Sequence, residues 1–538
     1  MEKREDLDTI LPYLPLKIQD SSLSWPSTHL VEVLEAMTNG PSHSRVYSGQ
    51  TLSDSISLMR QALSLTSHLS SSALQGYALF FDERMSKEES SRWFNEFLPA
   101  MACLLLRFPS LLESHYLNSD NLINGTKTGL RVLVPNKAGI VFLSQELIGA
   151  LLSCSFFCLF PVDDRGSNHL PIINFDKLFG SLINTGRNEH QENKIKCIIH
   201  YFQRLSSSIS PGFVSFERKI LSLEQDSSTL DEGFWGKSTV NLCPVEVRTS
   251  GLIEDQSVEA LEVDFANKNL GGGALRKGCV QIRFMINPEL IVGMLFLPTM
   301  EVTEAIEVVG AERFSLYTGY SSSFRFSGDY IDTKETDVFG RRKTRIVAID
   351  ALRHPGVSQY KLESLLRETN KALCGFLHVC KNQSNGQCID HEDGVGVVTG
   401  NWGCGAYGGD PELKSLLQWL AVSQARRPFM SYYTFGFEAL QNLNQVTELV
   451  VSKGWTVGDL WKKLVKYSNQ RYPGMETNGD LMLLLPLGMS TNILRSLSSS
   501  IFAYTRGYLF AFSARMDDDE PIGRECRTND KRGSLLLI

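Results

Sequence analysis

Strand-like runs alternate with helical runs from about residue 240 onward, and this alternation constrains the fold more than any other feature of the sequence. The strand-like runs cover residues 259–266, 304–310, 314–326, 344–350 and 429–436, with a further run before Gly403. The helical runs between them cover residues 288–297, 357–377 and 411–426. Such an order predicts an α/β domain in which helices cover a central sheet.

The first 210 residues have a different period and are predicted to be mostly helical. Ser86 and Glu89 form a capping-box pattern ahead of apolar residues at helical spacing, which begin with Trp93 and Phe94. Residues 51–66, 143–160 and 193–205 show similar apolar stripes. These stripes indicate a helical scaffold and carry no sign of chemistry.

The strand at 259–266 runs directly into a glycine triplet. Asn267 follows the strand, Gly271–Gly273 come next, and Gln281 lies between the triplet and a helix predicted to begin at Asn287. Because glycine has no Cβ, the backbone N–H groups of such a triplet can close around an anion such as a diphosphate.

Gly403, Gly405 and Gly408 form a second glycine cluster, in the pattern Gly-x-Gly-x-x-Gly. Asp410 is expected to cap the following helix (411–426), which has a proline at its first position. Free N–H groups and the helix dipole both favour anions at such a place. The pattern therefore allows a dinucleotide site, although no acidic residue stands about 20 residues further on to bind a ribose. A simple tight turn is the alternative.

Several ordered motifs together resemble the poly(ADP-ribose) glycohydrolase family, and most of all its shorter plant members. The glycine triplet with Gln281 resembles the family signature, in which a glycine triplet is followed by Gln-Glu-Glu. Tyr317-Thr-Gly-Tyr320, residues 401–410 and Tyr433-Thr-Phe-Gly436 resemble later blocks of the same family. The similarity covers about residues 1–480.

The resemblance implies a fold, a substrate and a division into domains. The fold is expected to be α/β: a macrodomain-like three-layer α/β/α sandwich with an N-terminal helical accessory region. The predicted domains are a helical region (1–230), a macrodomain-like domain (231–487) and a divergent tail (488–538) that is expected to be disordered. The implied partner is poly(ADP-ribose) or ADP-ribose, including polymer on modified proteins, and no cofactor is expected.

The resemblance also implies roles for polar residues and for the triplet. Glu254 matches the position that contacts adenine. Asp264 and Asn267 match residues that line the terminal ribose site, and Gly271–Gly273 match the diphosphate loop. Taken alone, an acidic residue inside a strand such as Asp264 has the alternative of pairing with a neighbouring side chain.

Three aromatic residues complete the implied site. Tyr320 matches the aromatic that closes over the substrate, and Tyr407 and Phe435 match aromatics around the distal ribose and adenine, with Tyr407 standing where phenylalanine is usual. The aromatics alone could also be core residues. The predicted substrate-binding residues are Glu254, Asp264, Asn267, Gly271, Gly272, Gly273, Gln281, Tyr320, Gly405, Tyr407 and Phe435.

The two glutamates of the family signature are missing, because Gln281 is followed directly by Ile282 and Arg283. Cleavage of a ribose–ribose bond needs a carboxylic acid to protonate the leaving oxygen and a carboxylate to activate water. No catalytic residue is therefore assigned. Glu289, in the first turn of the next predicted helix, is expected to complement the helix dipole and is not an obvious substitute.

Three functions are compatible with the sequence. The first is a poly(ADP-ribose) glycohydrolase-family protein that binds the polymer but hydrolyses it poorly or not at all, and so acts as a binder. The second is a working glycohydrolase that uses another carboxylate, or a transcript variant of an active enzyme. The third is an unrelated dinucleotide-dependent enzyme that uses Gly403–Gly408. We favour impaired hydrolysis.

Charge and composition limit the partners and the location. The net charge of −7 argues against binding DNA or RNA through bulk positive charge. The 11 cysteines are scattered and the N-terminus has no apolar signal sequence, so a nuclear or cytoplasmic location is expected, with a role in the DNA damage response implied by the family. The most apolar window, residues 141–160, contains Gln145 and Glu146, which favours a buried helix over a membrane span.

Two further clusters of residues are candidate sites. Cys374, Cys380, Cys388 and His391 lie close together in sequence, but their spacing matches no zinc pattern, so no metal is expected. The basic run 341–345 could contact polymer phosphates or direct nuclear import, although a solvated strand edge is the favoured interpretation.

Overall fold

The computed structural model describes residues 4–472 with short gaps. The residues within this range that it does not describe are 67, 164, 167–168, 184–188, 208–210, 222–229, 257–258, 277–280 and 379–393. The tail predicted at 488–538 and three members of the cysteine/histidine cluster (Cys380, Cys388 and His391) therefore lie outside the described residues.

A sheet of eight strands forms the centre of the molecule. The strands are β1 (Gly139–Ser144), β2 (Phe213–Ile220), β3 (Val245–Arg248), β4 (Ala260–Ala266), β5 (Glu304–Gly310), β6 (Arg342–Asp350), β7 (Gly396–Gly400) and β8 (Met430–Tyr433). They lie in the order β1-β2-β5-β6-β4-β7-β8-β3. The half from β6 to β3 is parallel, whereas β1, β2 and β5 pair antiparallel.

Apolar residues on one face of β6, β4 and β7 pair across the middle of the sheet. Val347 of β6 stands opposite Val263 of β4, and Val397 of β7 stands opposite Leu261. All four side chains are buried. Parallel strands covered on both faces are expected to be rich in Val, Ile and Leu, as these are.

Two apolar cores lie on opposite faces of the sheet. On one face, Phe216 of β2 belongs to a core that includes Phe156 and other residues of the N-terminal helices. On the other face, Val347 belongs to a core built with the helices Leu362–Phe376 and Pro411–Gln424. The predicted α/β/α sandwich with an N-terminal helical region is therefore confirmed.

Helices dominate the chain before β2. Their bounds are Glu5–Ile10, Thr28–Thr38, Pro41–Ser44, Gly49–Ala62, Ser71–Ala78, Lys87–Arg92, Leu98–Ser119, Gln145–Phe156, Asp176–Gly180 and Glu189–Ser207, with a short 3₁₀ turn at Leu11–Tyr13 and π-helical turns at Leu79–Arg84 and Trp93–Phe97. The predicted capping box is present, since the Glu89 N–H donates to Ser86 Oγ at 3.2 Å and the Ser86 N–H donates to the Glu89 carboxylate at 3.1 Å.

The remaining elements surround the parallel half of the sheet. The α-helices are Glu232–Lys237, Ile282–Ile286, Leu362–Phe376, Pro411–Gln424, Leu443–Ser452 and Val457–Arg471, and the 3₁₀ helices are Ile253–Asp255, Pro288–Leu295, Ser321–Ser323, Gly356–Tyr360 and Glu438–Leu440. Two small antiparallel hairpins pair Lys17–Gln19 with Ser22–Ser24, and Ser315–Thr318 with Arg325–Asp329.

The prediction of one strand over residues 314–326 is wrong. The chain turns at Gly319, whose φ of +73° is in the left-handed region that favours glycine. Two strands result, Ser315–Thr318 and Arg325–Asp329, and they pair with each other outside the main sheet. This pair is called the site hairpin below.

The prediction of a solvated edge for residues 341–345 is also wrong. Strand β6 lies inside the sheet, between β5 and β4. Arg341 and Arg345 are buried, and their guanidinium groups lie 2.7 Å from the carboxylate of Asp337 and 2.9 Å from that of Glu259. Two of the cations in this run therefore form intramolecular ion pairs.

The apolar window at 141–160 contributes β1 and a helix, Gln145–Phe156, that is almost entirely buried, as predicted. A different helical run, Lys87–Ser119, has the length and composition of a membrane span, and it packs residues such as Trp93 and Leu105 into the core.

The central sheet takes strands from both sides of the predicted domain boundary at residue 231, because β1 and β2 precede that residue. The domain limits stay predictions.

Candidate functional site

Most of the predicted site residues follow three neighbouring strands. Parallel strands β4, β7 and β8 end at the same edge of the sheet, and the segments 267–276, 401–410 and 434–436 leave them there. In open α/β sheets, ligands bind outside the carboxyl ends of the strands. The fold therefore brings the two glycine loops and Phe435 to one edge, although the sequence separates them widely.

The first glycine loop is folded into consecutive tight turns. The Gly272 N–H donates to the Asn269 oxygen at 2.8 Å, and the Ala274 N–H donates to the Gly271 oxygen at 2.7 Å. These two N–H groups are used inside the loop and are not available to an anion. The Gly273 N–H has no acceptor among the described residues and is available. The triplet is thus a less complete anion cradle than the sequence alone suggests.

Gly272 allows a close approach that no other residue permits. Its φ is +30°, and an added Cβ would lie 2.9 Å from the Asn267 Cβ and 2.8 Å from Gln281 Nε2. Gln281 therefore packs against the loop beside Asn267. The Gln281 Oε1 atom is buried and has no hydrogen-bond partner among the described residues.

The second glycine loop opens a helix, as predicted. The Gly408 N–H donates to the Gly405 oxygen at 3.0 Å, which makes a turn. The Asp410 carboxylate then caps the helix Pro411–Gln424 and accepts from the Glu412 N–H at 2.9 Å. The positive end of this helix thus lies at the edge where the loops meet, although Asp410 already occupies it.

A hydrogen bond joins the two glycine loops. Asn267 Nδ2 donates to the Tyr407 hydroxyl at 3.1 Å. Asn267 Oδ1 accepts from the Asn269 N–H at 3.0 Å, so its amide also holds the first loop. The Arg353 guanidinium lies 5.5 Å from the centre of the Tyr407 ring. The main-chain N–H of His354 donates to the main-chain carbonyl oxygen of Tyr407 at 2.9 Å.

Phe435 and Phe265 meet at the ends of their strands. An added Cβ at Gly400 would lie 3.3 Å from the Phe435 ring and 3.6 Å from the Phe265 ring, so this glycine lets the two rings approach the sheet edge. Phe435 has a φ of +51°, an unusual conformation for an aromatic residue that tends to persist at functional sites. Phe265 is 39% exposed and was missed, because strand alternation alone does not show which aromatics stay open.

Two cations pair with the buried Glu262 of β4. The Arg283 guanidinium lies 2.5 Å from the Glu262 carboxylate, and Lys334 Nζ lies 2.8 Å from the other oxygen of the same carboxylate. Both cations hold the pKa of Glu262 below its ordinary value against the opposing effect of burial. Sequence reasoning missed Glu262 and Lys334, since nothing local links them to Arg283.

Asp264 stands two residues beyond Glu262 on the same face of β4. Burial raises its pKa to about 6, and the nearby charge of Arg283 opposes part of that rise. Asp264 forms no hydrogen bond or ion pair with the described residues. A carboxyl of this kind changes charge close to neutral pH.

Glu254 lies in the 3₁₀ helix Ile253–Asp255 and contacts the site hairpin. The Tyr317 hydroxyl donates to the Glu254 carboxylate at 2.6 Å, and this contact raises the pKa of Tyr317 in addition to the larger effect of burial. Tyr320 lies at the tip of the hairpin, where it is 65% exposed and its N–H donates to Ser323 Oγ at 2.9 Å. Tyr317 belongs to a family-like block but was not selected as a site residue.

Glu289 does not complement a helix dipole, contrary to the prediction. Its carboxylate is buried and accepts from Gln145 Nε2 at 2.9 Å and from the Glu312 N–H at 2.7 Å. Burial raises the pKa of Glu289 to about 8. This carboxyl ties the helical region to the segment after β5 and lies in the interior, away from the glycine loops.

No cluster of three or more potential metal ligands occurs among the described residues. Cys374 is buried, and its thiol lies 3.3 Å from the Thr303 oxygen. The four-residue cysteine/histidine cluster itself cannot be examined, because its other members fall in the undescribed range 379–393.

The fold and the site together define a macrodomain-type protein with a helical accessory region. Residues 232–442 match poly(ADP-ribose) glycohydrolase, macro domain fold, and residues 85–218 match the helical domain of the same family. The chain belongs to the poly(ADP-ribose) glycohydrolase family. This membership favours glycohydrolase-type functions over the dinucleotide-dependent alternative.

Two plant relatives match almost the whole chain, and a nematode relative matches half of it. Poly(ADP-ribose) glycohydrolase 1 of Arabidopsis thaliana is 54% identical over 552 residues, which cover 91% of this chain and 99% of the relative. Probable poly(ADP-ribose) glycohydrolase 2 of the same plant is 54% identical, over 88% of this chain and 96% of the relative. Poly(ADP-ribose) glycohydrolase 1 of Caenorhabditis elegans is 35% identical over 50% of this chain and 35% of the relative.

Proposed function

We propose that this protein binds ADP-ribose units of poly(ADP-ribose) at the ends of β4, β7 and β8, and that this chain hydrolyses the polymer poorly. The two glycine loops, joined through Asn267 and Tyr407, supply backbone N–H groups for a diphosphate. The Phe265 and Phe435 rings supply an apolar surface for a base. The partner would be the free polymer or polymer on modified proteins, in the nucleus or cytoplasm.

The ion pair between Arg283 and Glu262 is the observation that carries the proposal of weak hydrolysis. Arg283 comes two positions after Gln281, where a family signature would carry glutamates, and its charge acts on Asp264. Cleavage develops positive charge on the ribose, so a cation in the site gives no help to the transition state. Glu262 compensates the charge of Arg283 but is thereby held in an ion pair.

The carboxyl groups that remain do not form a working pair. Glu254 accepts from the Tyr317 hydroxyl, and Glu262 is held by Arg283 and Lys334. Asp264 is the carboxyl that has no hydrogen bond or ion pair within the described part of the site. Hydrolysis of a glycosidic bond ordinarily uses two carboxyls in complementary roles.

Asp264 alone would support slow hydrolysis of the polymer. With a pKa of about 6, it can hold or release a proton near neutral pH, and it stands three residues before Asn267, the other residue that the resemblance assigns to the ribose site. One carboxyl can accept the proton of an attacking water, but the leaving oxygen then has no protein acid. Loss of general acid catalysis typically costs about 10²- to 10⁴-fold in rate.

Two insertion variants at one position distinguish binding of ADP-ribose from hydrolysis of the polymer. We expect the full chain to bind ADP-ribose in a calorimetric titration, and a variant with Glu-Glu inserted after Gln281 to release ADP-ribose from the polymer at least about 100-fold faster. The matched control inserts Ala-Ala at the same place, which restores chain length without the carboxyls, and is expected to stay slow. Absence of ADP-ribose binding by the full chain would overturn the proposal.

A further inference from the structure

The helix Glu189–Ser207 of the helical region contacts the outer strand of the site hairpin along its length. Asn193 Oδ1 accepts from the Phe326 N–H at 3.0 Å. Further along the helix, His200 Nε2 lies 2.9 Å from Asp329 Oδ1, and Arg204 Nη1 donates to the same oxygen at 2.5 Å. Both ends of the outer strand are thus held by side chains of one helix.

These contacts matter because a two-stranded hairpin is marginally stable by itself. Its outer strand, Arg325–Asp329, presents N–H groups that no further strand can pair. Asn193 satisfies one of them, at Phe326. Arg204 also donates to the Tyr330 oxygen at 3.1 Å, just beyond the strand. The helix therefore replaces the neighbouring strand that the hairpin lacks.

The inner strand of the hairpin contacts Glu254, and the tip is exposed. Tyr317 on the inner strand donates to Glu254 at 2.6 Å, whereas Tyr320 at the tip is 65% exposed. The tip follows Gly319, where an added Cβ would lie 2.1 Å from the Ser323 oxygen. The hairpin is thus held on its outer strand by the helical region, and its tip is exposed.

We propose that the helix Glu189–Ser207 anchors the site hairpin and so sets the position of Tyr320 for ligand binding. Asn193 and Asp329 are then positioning residues that act through the hairpin and do not touch the ligand. In this arrangement the helical region contributes to the affinity of a site that lies on the macrodomain. The identity of the ligand, ADP-ribose, rests on the proposed function.

A double-mutant cycle tests this route. We expect Asn193→Ala and Asp329→Ala each to weaken ADP-ribose binding by roughly 5- to 20-fold in calorimetry, as the loss of a hydrogen bond that positions a ligand contact would. In a Tyr320→Ala background, the same substitutions are expected to have little further effect, because all act through one residue. Asn193→Asp keeps an acceptor for the Phe326 N–H and should restore affinity.

Lys196→Ala is the matched control on the same helix. Lys196 forms an ion pair with Glu192 of the same helix, at 2.8 Å, and surface pairs of this kind contribute little, so affinity should stay within about twofold. Thermal unfolding of each variant separates loss of the anchor from loss of the fold. Unchanged affinity in Asn193→Ala and Asp329→Ala would contradict the proposed anchoring role of the helix. So would a loss of affinity in the Tyr320→Ala background as large as the loss in the parent protein.

Amide hydrogen exchange tests the anchoring of the hairpin even if the full chain binds no ADP-ribose. That result would reject the proposed function, and the anchor would then be judged from the amides of the hairpin. Faster exchange at Tyr317 and Phe326 in Asn193→Ala, with Lys196→Ala unchanged, would support the anchor. Equal exchange in all three proteins would reject it.

Discussion

The Arg283 guanidinium lies 2.5 Å from the Glu262 carboxylate, on the face of β4 that also carries Asp264. A site expected to hold a pair of catalytic carboxyls therefore holds an arginine–glutamate ion pair and one separate aspartate. The balance among these three groups sets both the stability and the chemistry of the site.

Replacing Arg283 by methionine should destabilise the protein. Glu262 is buried, and after the substitution only Lys334 would compensate its charge. Removing one partner of a buried pair typically costs about 3–5 kcal/mol, and the remaining lysine should reduce the loss to about 2 kcal/mol. Urea unfolding measures it. The double variant Arg283→Met/Glu262→Gln should recover much of the loss, and an equal or greater loss in the double variant would show that the charge pairing is unimportant.

The affinity for ADP-ribose should rise as pH increases from about 5 to 7. Asp264 has a pKa of about 6, and its ionised form is the better acceptor for ribose hydroxyl groups. The expected change is about tenfold across this range, measured by calorimetric titration at several pH values. Asp264→Asn cannot ionise and should show a flat profile over the same range. A profile as steep in Asp264→Asn as in the parent protein would assign the pH dependence to another group.

Asn267 and Tyr407 should contribute unequally to binding. Asn267→Ala removes the contact to Tyr407 and the support of the Asn269 N–H, so we expect ADP-ribose affinity to fall by about tenfold or more. Tyr407→Phe removes only the hydroxyl and keeps both the ring beside Arg353 and the main-chain hydrogen bond from His354, so the fall should stay below about fivefold. Calorimetry of the two variants side by side measures both. A larger loss in Tyr407→Phe would mean that the hydroxyl contacts the ligand directly.

Glu289→Gln should stabilise the protein more at pH 8 than at pH 5. The pKa of Glu289 is raised to about 8 in the folded protein by burial, whereas an exposed glutamate has a pKa of about 4.3. Between these values the folded state holds a proton that the unfolded state has released, so the free energy of unfolding falls as pH rises. Glutamine mimics the protonated carboxyl and removes this dependence.

Chemical unfolding at a series of pH values measures the effect of Glu289. We expect the difference between Glu289→Gln and the parent protein to change by about 3–4 kcal/mol in favour of glutamine from pH 5 to pH 8. Glu312 and Arg342 also act on this carboxyl and stay unchanged in the variant. A difference that is constant with pH would mean that Glu289 is ionised throughout the range.

Local patterns predicted those parts of the fold whose cause is local. The strand Glu304–Gly310 was predicted with the bounds that the structure has, since every residue in it is buried and the run is continuously apolar apart from its glutamates. The Asp410 cap follows equally from adjacent residues. The turn at Gly319 was missed, because the apolar alternation on both sides of it reads as one strand.

The charges of the site could not be predicted, because their partners are distant in sequence. Glu262 and Lys334 meet Arg283 only after β4 and the segments on either side of it come together. The resemblance supplied the residues of the glycine loops, but their contact through Asn267 and Tyr407 depends on the order of strands β4, β7 and β8 in the sheet. Those residue assignments stay predictions until a ligand is bound.

The rate of ADP-ribose release from poly(ADP-ribose) by the full chain, compared with the variant carrying Glu-Glu after Gln281, tests the central claim most directly. The account predicts slow release by the full chain and an increase of at least about 100-fold on insertion of the two glutamates, with no such increase on insertion of Ala-Ala. Fast release by the full chain, unchanged by the glutamates, would contradict it.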